Sequence, residues 1–326
     1  MNSQLRQDIV SGDWIVIASA RAKRPEQFLK KEKRAVSPIK NCPFEDLQKS
    51  GHGEPILIYL KKKNWQVQVV ENKYPAFFHR KICAEAFKNG PYSVVEGIGR
   101  HELIITREHL KNFPHLNKVG ANLVFKSFQE RYQEIAKDKC LSYISIFHNW
   151  GEKAGASIYH PHYQIIATPV IPPEISYSLK GSLDFSKKIK KCVHCETIKW
   201  EKKIGRRIVY ENRGAIVLSP FAPRSPYELR VFPKKHLSYF ENTDKKDLEF
   251  VVDALQKSLA KIEKKLKDPD YNFFIHTSPI KNKKNYKYYH WHIEILPRIE
   301  IPGAFEYSTG MTIVGVDPDE AAKILR

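Results

Sequence analysis

Cysteine is scarce: five in 326 residues, an odd number scattered at positions 42, 83, 140, 192 and 195. A secreted disulfide framework is therefore not expected, and Cys83 and Cys140, with no partner pattern, read as ordinary thiols. No stretch approaches the roughly 20 uninterrupted apolar residues of a membrane span. The first seven residues are polar and run straight into Asp8 and Ile9, with no apolar signal-peptide core. These absences together predict a cytoplasmic protein of a reducing compartment with no membrane partner. Acidic residues are also short, 36 against 55 Lys+Arg, for a net charge of +19. Such a balance can mark nucleic-acid binding. Here, however, the lysines fall in short scattered runs (residues 61–63, 187–191, 281–284) that do not converge on one recognisable reading motif such as a paired-cysteine finger or an aromatic ribonucleoprotein signature. Nucleic acid is not the expected partner; a positive field suits phosphorylated substrates. What the chain does have is a 42% hydrophobic content, enough for a real core, and a length of about two domains.

Laid on itself, the chain repeats at an offset of about 130 residues. His109-Leu110 corresponds to His236-Leu237, the run Tyr143 to His148 to the run Tyr271 to His276, and His160-Pro161-His162 to His290-Trp291-His292. Glu71-Asn72 matches Glu211-Asn212, and each half carries a cysteine start, Cys42-Pro-Phe-Glu45 and Cys192-Val-His-Cys195. Five matches in one order imply two homologous halves, residues 1–178 and 179–326.

Within the first half, residues 14–18, 55–60, 65–70 and 102–106 are β-branched or alternating and predict strands. Leu123, Phe125, Phe128, Tyr132, Ile135 and Ala136 then mark one face of a helix, and Leu248, Val251, Val252, Leu255, Leu259, Ile262 and Leu266 mark its counterpart. Two strands follow each helix, the second holding the His-x-His pair. The expected fold is α+β: two homologous halves, each a mainly antiparallel sheet with a helix packed on it. Residues 172–191, with prolines and then Lys, Ser and Gly, read as the connection between them.

In a strand, residues two apart share a face, so His160, His162 and Gln164 are expected to project together. Pro161 lacks an N–H, which predicts an edge or an irregular strand start. The preceding loop, Asn149-Trp-Gly151-Glu-Lys-Ala-Gly155-Ala-Ser157, is rich in small residues that let backbone N–H groups and a hydroxyl approach an anion. Gly155-Ala-Ser157-Ile-Tyr-His160-Pro161-His162-Tyr-Gln164 resembles the active-site signature of galactose-1-phosphate uridylyltransferases, a branch of the histidine-triad superfamily. The opening from Leu5 to Trp14, then Arg21-Ala-Lys-Arg24-Pro25, Glu71-Asn72-Lys-Tyr-Pro75-Ala76 and the stretch from His290 to Arg298 resemble that family too. Nearly the whole chain is covered.

The resemblance implies a duplicated histidine-triad-like fold, a homodimer, and nucleotidyl transfer from a nucleotide sugar to a sugar 1-phosphate or phosphate. His162 would be the nucleophile, with a backbone carbonyl holding the proton on its other ring nitrogen. Gln164 and Ser157 would donate to the phosphoryl oxygens. Asn72, Asn149 and Gly155 match nucleotide-side positions, and Arg21 and Arg24 match basic residues that reach a sugar phosphate from the neighbouring subunit. The leading expectation is exchange of glucose 1-phosphate and galactose 1-phosphate on a uridylyl group. A phosphorylase resembling ADP-glucose phosphorylase is the alternative, favoured by Tyr163 and by the Phe305 to Met311 tail. A basic, zinc-stabilised nucleic-acid-binding protein is the reading from another class, opposed by the presence of Gln164, Ser157 and the glycines.

Cys192-x-x-Cys195 is a metal-type spacing, and His236 and His290 complete a Cys2His2 set suited to tetrahedral zinc. Cys42, Glu45, His109 and His160 form the first-half equivalent, a weaker zinc site because Glu45 stands where a second cysteine is expected. In some relatives the second-half metal instead uses histidines matching His276, His290 and His292. The second His-x-His pair is not read as an active site. Its loop lacks the glycines, and Glu294 stands where the first half has Gln164, a charge that would repel phosphate. His292 is expected near the acceptor or in a structural role.

Overall fold

The computed structural model describes residues 3–23, 34, 36–60 and 64–326. Its strands in chain order are β1 (Gln4–Gln7), β2 (Trp14–Ile17), β3 (Leu57–Tyr59), β4 (Val67–Glu71), β5 (Ala86–Asn89), β6 (Tyr92–Val95), β7 (Arg100–Thr106) and β8 (Tyr143–Trp150). They continue as β9 (His162–Thr168), β10 (Ile208–Glu211), β11 (Ala215–Leu218), β12 (Leu229–Pro233), β13 (Tyr271–His276), β14 (His292–Pro297) and β15 (Thr312–Val314). The helices are α1 (Lys118–Ile135), α2 (Pro173–Ile189), α3 (Val193–Ile204), α4 (Lys245–Leu266), α5 (Ala304–Thr309) and α6 (Pro318–Leu325).

Among the described residues, ten strands form one antiparallel sheet in the order β10-β11-β12-β14-β13-β8-β9-β7-β4-β3. Outward from the central β13–β8 pair, the sequence β13, β14, β12, β11, β10 mirrors β8, β9, β7, β4, β3. The internal repeat is thus a pseudo-twofold of strand order. The α+β class holds, but the halves share one sheet and one apolar cluster that runs from Val67 to Leu325. Residues 14–18 do leave this sheet: β2 joins β1 and, in parallel, β15.

α1 and α4 cover one face of the sheet. Asn117 caps α1 by accepting from the Gly120 N–H, and Asp244 caps α4 by accepting from the Asp247 N–H. The buried face of α1 carries Ala121, Val124, Phe125, Phe128, Tyr132 and Ile135, with Leu123 only partly buried beside it. A buried, two-pronged ion pair ties α1 to β7: Arg131 Nε and Nη2 each donate to a Glu102 oxygen at 2.7 Å.

Two expectations are corrected. Residues 172–191 are not a loose connection: Pro173–Ile189 form the helix α2. Proline is tolerated in a first helical turn, where its missing N–H has no intrahelical role, and Ile175, Ser178, Leu179 and Ser182 form a buried stripe. Gly181 is required there, since a Cβ would stand 1.6 Å from the Val10 carbonyl oxygen. Residues 178 and 179 lie within this helix, so the packing does not divide between the halves at that point. Cys83 and Cys140 are joined as a disulfide, with Cα atoms 4.9 Å apart. Their 57-residue separation leaves no spacing signal from which the pairing could be read.

Candidate active site and metal centres

His162 opens β9, which lies between β8 and β7 in the sheet interior. Pro161 therefore marks an irregular start and not an edge. The His162 ring is buried, 7% exposed, and burial pulls its pKa below the usual imidazole value. Its Nδ1 lies 3.0 Å from the His160 carbonyl oxygen. A neutral imidazole has one proton to give, and donating it there leaves the Nε2 lone pair free. The Phe44 ring packs edge-on against the imidazole at 5.1 Å. From behind, buried His148 stands between two oxygens, its Nδ1 2.7 Å from the His162 carbonyl and its Nε2 3.0 Å from Asn112 Oδ1. Burial drives the His148 pKa down to about 3, so that ring stays neutral.

Gln164 follows two residues on. Its Oε1 is 2.8 Å from the Nε2 of His101 on β7. Asn72 reaches the same histidine, through its backbone N–H to the His101 carbonyl at 2.8 Å and its Nδ2 3.0 Å from His101 Nε2. His101 was missed in the sequence because its counterpart in the other half is not a histidine and it sits outside the His-x-His element. His148 was missed as well, being the last residue of an apolar strand-like run.

The glycine loop differs from expectation. Gly151 and Gly155 take positive φ, 87° and 85°, around a short turn from Glu152 to Ala154. The N–H groups of Ala154, Gly155 and Ala156 are engaged by the Gly151 and Glu152 carbonyls, and that of Lys153 by Asp270. Those four donors are occupied within the chain, so the expected backbone cradle is not formed by them. Ser157 is exposed beyond the turn. Asn149 accepts from Asn272 Nδ2 at 2.8 Å, across the central strand pair. Arg21 is exposed in a short turn spanning Ser19–Lys23, and its charge acts on Glu300 and Glu306 of the same chain. Arg24 lies outside the described residues.

Two four-residue clusters bring all eight expected metal ligands together, with the ligand atoms of each within 4.8 Å of one another. In the first, Cys42 Sγ is 3.5 Å from His160 Nδ1, and a Glu45 oxygen lies 3.0 Å from His109 Nδ1 and 3.3 Å from His160 Nδ1. The far nitrogens face backbone oxygens: His160 Nε2 on Thr106 at 2.7 Å and His109 Nε2 on Ser37 at 2.9 Å. In the second, Cys195 Sγ is 3.3 Å from His236 Nδ1 and 3.6 Å from His290 Nδ1, and His236 Nε2 rests on the Lys287 carbonyl at 2.9 Å. For His109, His160 and His236, carbonyls that take the Nε2 protons leave Nδ1 lone pairs aimed inward, the arrangement a metal ion requires of its outer shell. The Cys195 thiol, then His236 and His290, hold Cys192 as a thiolate well below its usual range. Soft sulfur with inward imidazole nitrogens fits zinc.

The alternative set through His276 and His292 is not assembled. Those rings stack on each other at 5.1 Å, and Glu294 approaches both. Burial alone would raise the Glu294 carboxyl, but Arg224 and Arg230 outweigh it and hold it well below the carboxylate range. Position 294 thus anchors a buried ion network rather than presenting a bare charge.

This geometry can be set beside known proteins. The family model described as galactose-1-phosphate uridyl transferase, N-terminal domain, matches residues 1–172, and one described as scavenger mRNA decapping enzyme C-term binding matches residues 191–302. ADP-glucose phosphorylase of Arabidopsis thaliana is 33% identical over 330 residues, covering 99% of this chain and 92% of the relative. Galactose-1-phosphate uridylyltransferase of Thermotoga maritima is 26% identical over 332 residues, covering 99% and 98%. The crystal structure of the Arabidopsis thaliana ADP-glucose phosphorylase with bound ADP-glucose matches with a TM-score of 0.85 at 30% identity, over 100% of this chain and 99% of that one. A family model spanning more than half the chain, a relative matched almost end to end and the shared fold lead to one conclusion: this chain belongs to the galactose-1-phosphate uridylyltransferase family and is a nucleotidyltransferase of that kind.

Proposed function

We propose that the protein transfers a nucleotidyl group from a nucleotide sugar to a phosphate-bearing acceptor through a covalent nucleotidyl-His162. The observation that carries this reading is the proton arrangement at His162: Nδ1–H is tied to the His160 carbonyl and Nε2 keeps its lone pair. Nε2 attacks the α-phosphorus; the N–P bond forms as the P–O bond to the sugar phosphate breaks, and the sugar 1-phosphate leaves with the electron pair. An acceptor phosphate oxygen then attacks the same phosphorus, and the P–N bond breaks to restore His162. The Gln164 amide and the exposed Ser157 hydroxyl would donate to the oxygens on which charge builds. Asn72, Asn149 and Gly155 would meet the nucleotide.

Zinc would be held by Cys192, Cys195, His236 and His290, and a second ion by Cys42, Glu45, His109 and His160. Bound there it supplies folding free energy; no chemical step passes through it. His160, as a ligand, is thereby separated from His162, the nucleophile. Arg21 and Arg24 would serve the partner's site in a cytoplasmic homodimer.

Uridylyl exchange between glucose 1-phosphate and galactose 1-phosphate is one form of this chemistry. Phosphorolysis of an ADP-sugar is the second, favoured by the 33% identity to an ADP-glucose phosphorylase along nearly the whole chain. Incubation with UDP-glucose and with ADP-glucose separately, followed by intact mass, tests the proposal. A uridylyl mass favours the first form and an adenylyl mass the second; no added mass with either refutes the covalent route.

A further inference from the structure

We propose that His101 is a positioning residue that fixes which way the Gln164 amide faces, an inference that rests on the nucleotidyl-transfer reading above. An amide side chain can present either its oxygen or its N–H2 to a phosphoryl group, and only the N–H2 stabilises charge there. Something must therefore hold it in one orientation.

β7 and β9 pair so that His101 stands opposite Ile166 and Leu103 opposite Gln164. His101 and Gln164 are thus diagonal neighbours on one face of the sheet. The backbone N–H of Ala76 points at His101 Nδ1, 3.1 Å away. A backbone N–H cannot be turned around, so Nδ1 must carry the lone pair and, in a neutral ring, Nε2 must carry the proton. That proton meets Gln164 Oε1 at 2.8 Å; of the three polar neighbours of the ring this tautomer satisfies the Ala76 N–H and Gln164 Oε1 and leaves only Asn72 Nδ2, 3.0 Å from Nε2, without an acceptor there. The other tautomer would set Nδ1–H against the Ala76 N–H. With its oxygen engaged by His101, Gln164 turns its N–H2 away from His101, and among the described residues it makes no other side-chain hydrogen bond. Asn72 is drawn into the same unit, because its backbone N–H donates to the His101 carbonyl at 2.8 Å and its Oδ1 accepts from the Tyr74 N–H at 2.9 Å. One imidazole thereby sets the donor edge of Gln164 while its backbone anchors Asn72.

The test is a double-mutant cycle read as the single-turnover rate at which His162 takes the nucleotidyl group from UDP-glucose or ADP-glucose. His101→Leu removes the donor and frees the amide to flip. It should slow labelling by about 10- to 100-fold while leaving KM for the nucleotide sugar little changed. His101→Gln, whose Nε2 can stand where the imidazole Nε2 stands, should restore most of the rate. In a Gln164→Ala background His101→Leu should cost nothing more, since no amide is left to orient. The inference is overturned if His101→Leu labels at the wild-type rate, or if it slows Gln164→Ala as much as it slows wild type, which is the mark of a merely structural role. Circular dichroism melts on each variant separate unfolding from slow chemistry. Wild-type protein that takes no label refutes the transfer reading and this inference with it; label-competent wild type with an unaffected His101→Leu refutes this inference alone.

Discussion

Replacing Glu102 with alanine should destabilise the protein by about 3–5 kcal/mol, the usual cost of leaving a buried charge without its partner. Glu102 is 1% exposed and Arg131 8%, so water cannot replace what is lost. Both Glu102 oxygens are engaged, each by a 2.7 Å charge-assisted bond from Arg131. Burial by itself would lower the Arg131 pKa, yet Glu102 outweighs it and raises it, which shows how strongly the two depend on each other. The pair fastens α1 onto β7, the strand that carries His101 and lies beside His162. Glu102→Gln keeps the shape but loses the charge and one acceptor, and should cost roughly half as much. Glu102→Leu with Arg131→Met, which removes both charges at similar volume, should recover most of the loss. Urea unfolding of the zinc-loaded protein, with the slope checked for constancy, measures all three. A loss under about 1 kcal/mol for Glu102→Ala, the range of exposed ion pairs, would mean that the pair is not a buried anchor of α1.

Metal analysis should find about one zinc per chain and a second, weaker one. Cys192→Ser should act mainly on folding, seen as a lower melting temperature that chelator reproduces in wild type; metal-free protein indifferent to chelator contradicts it. Glu45→Cys should raise retention of the second ion under mild chelation, because thiolate suits zinc better than carboxylate. His160→Ala should lower both stability and activity, whereas His162→Ala should abolish transfer with zinc content intact, as read by metal analysis beside a transfer assay. A mixed dimer of a His162→Ala chain with an Arg24→Ala chain should regain part of one site; a fully active monomer in sedimentation contradicts the shared-site reading.

Much of the architecture was legible because it rests on repetition and period. The 127- to 130-residue offsets predicted a duplication, and the strands appear in mirrored order about β8 and β13. The helix faces were readable from their 3.6-residue spacing, apart from Val124, which takes the buried place expected of Leu123. The eight candidate metal ligands stood out because paired cysteines and histidines have few other uses at those spacings, and the structure brings these side chains into two clusters. What failed depended on who faces whom. α2 was hidden by proline and glycine, one placed at a helix start and the other where Val10 presses close. The Cys83–Cys140 pairing depends on the path of the chain between them. The small-residue loop resembles an anion cradle, but the N–H groups of Lys153, Ala154, Gly155 and Ala156 are taken by its own turn and by Asp270. His101 and His148 make their contacts across the sheet, and neither lies in the His-x-His element.

On this mechanism His162 alone carries the nucleotidyl group. The most direct test is peptide mapping after rapid quench at alkaline pH, where a phosphoramidate survives, of protein treated with whichever of UDP-glucose or ADP-glucose labels it. One labelled peptide is expected, with the mass on His162, lost in His162→Ala and removed when acceptor is added. Label on His160 or His292, or labelling that persists in His162→Ala, would contradict the mechanism.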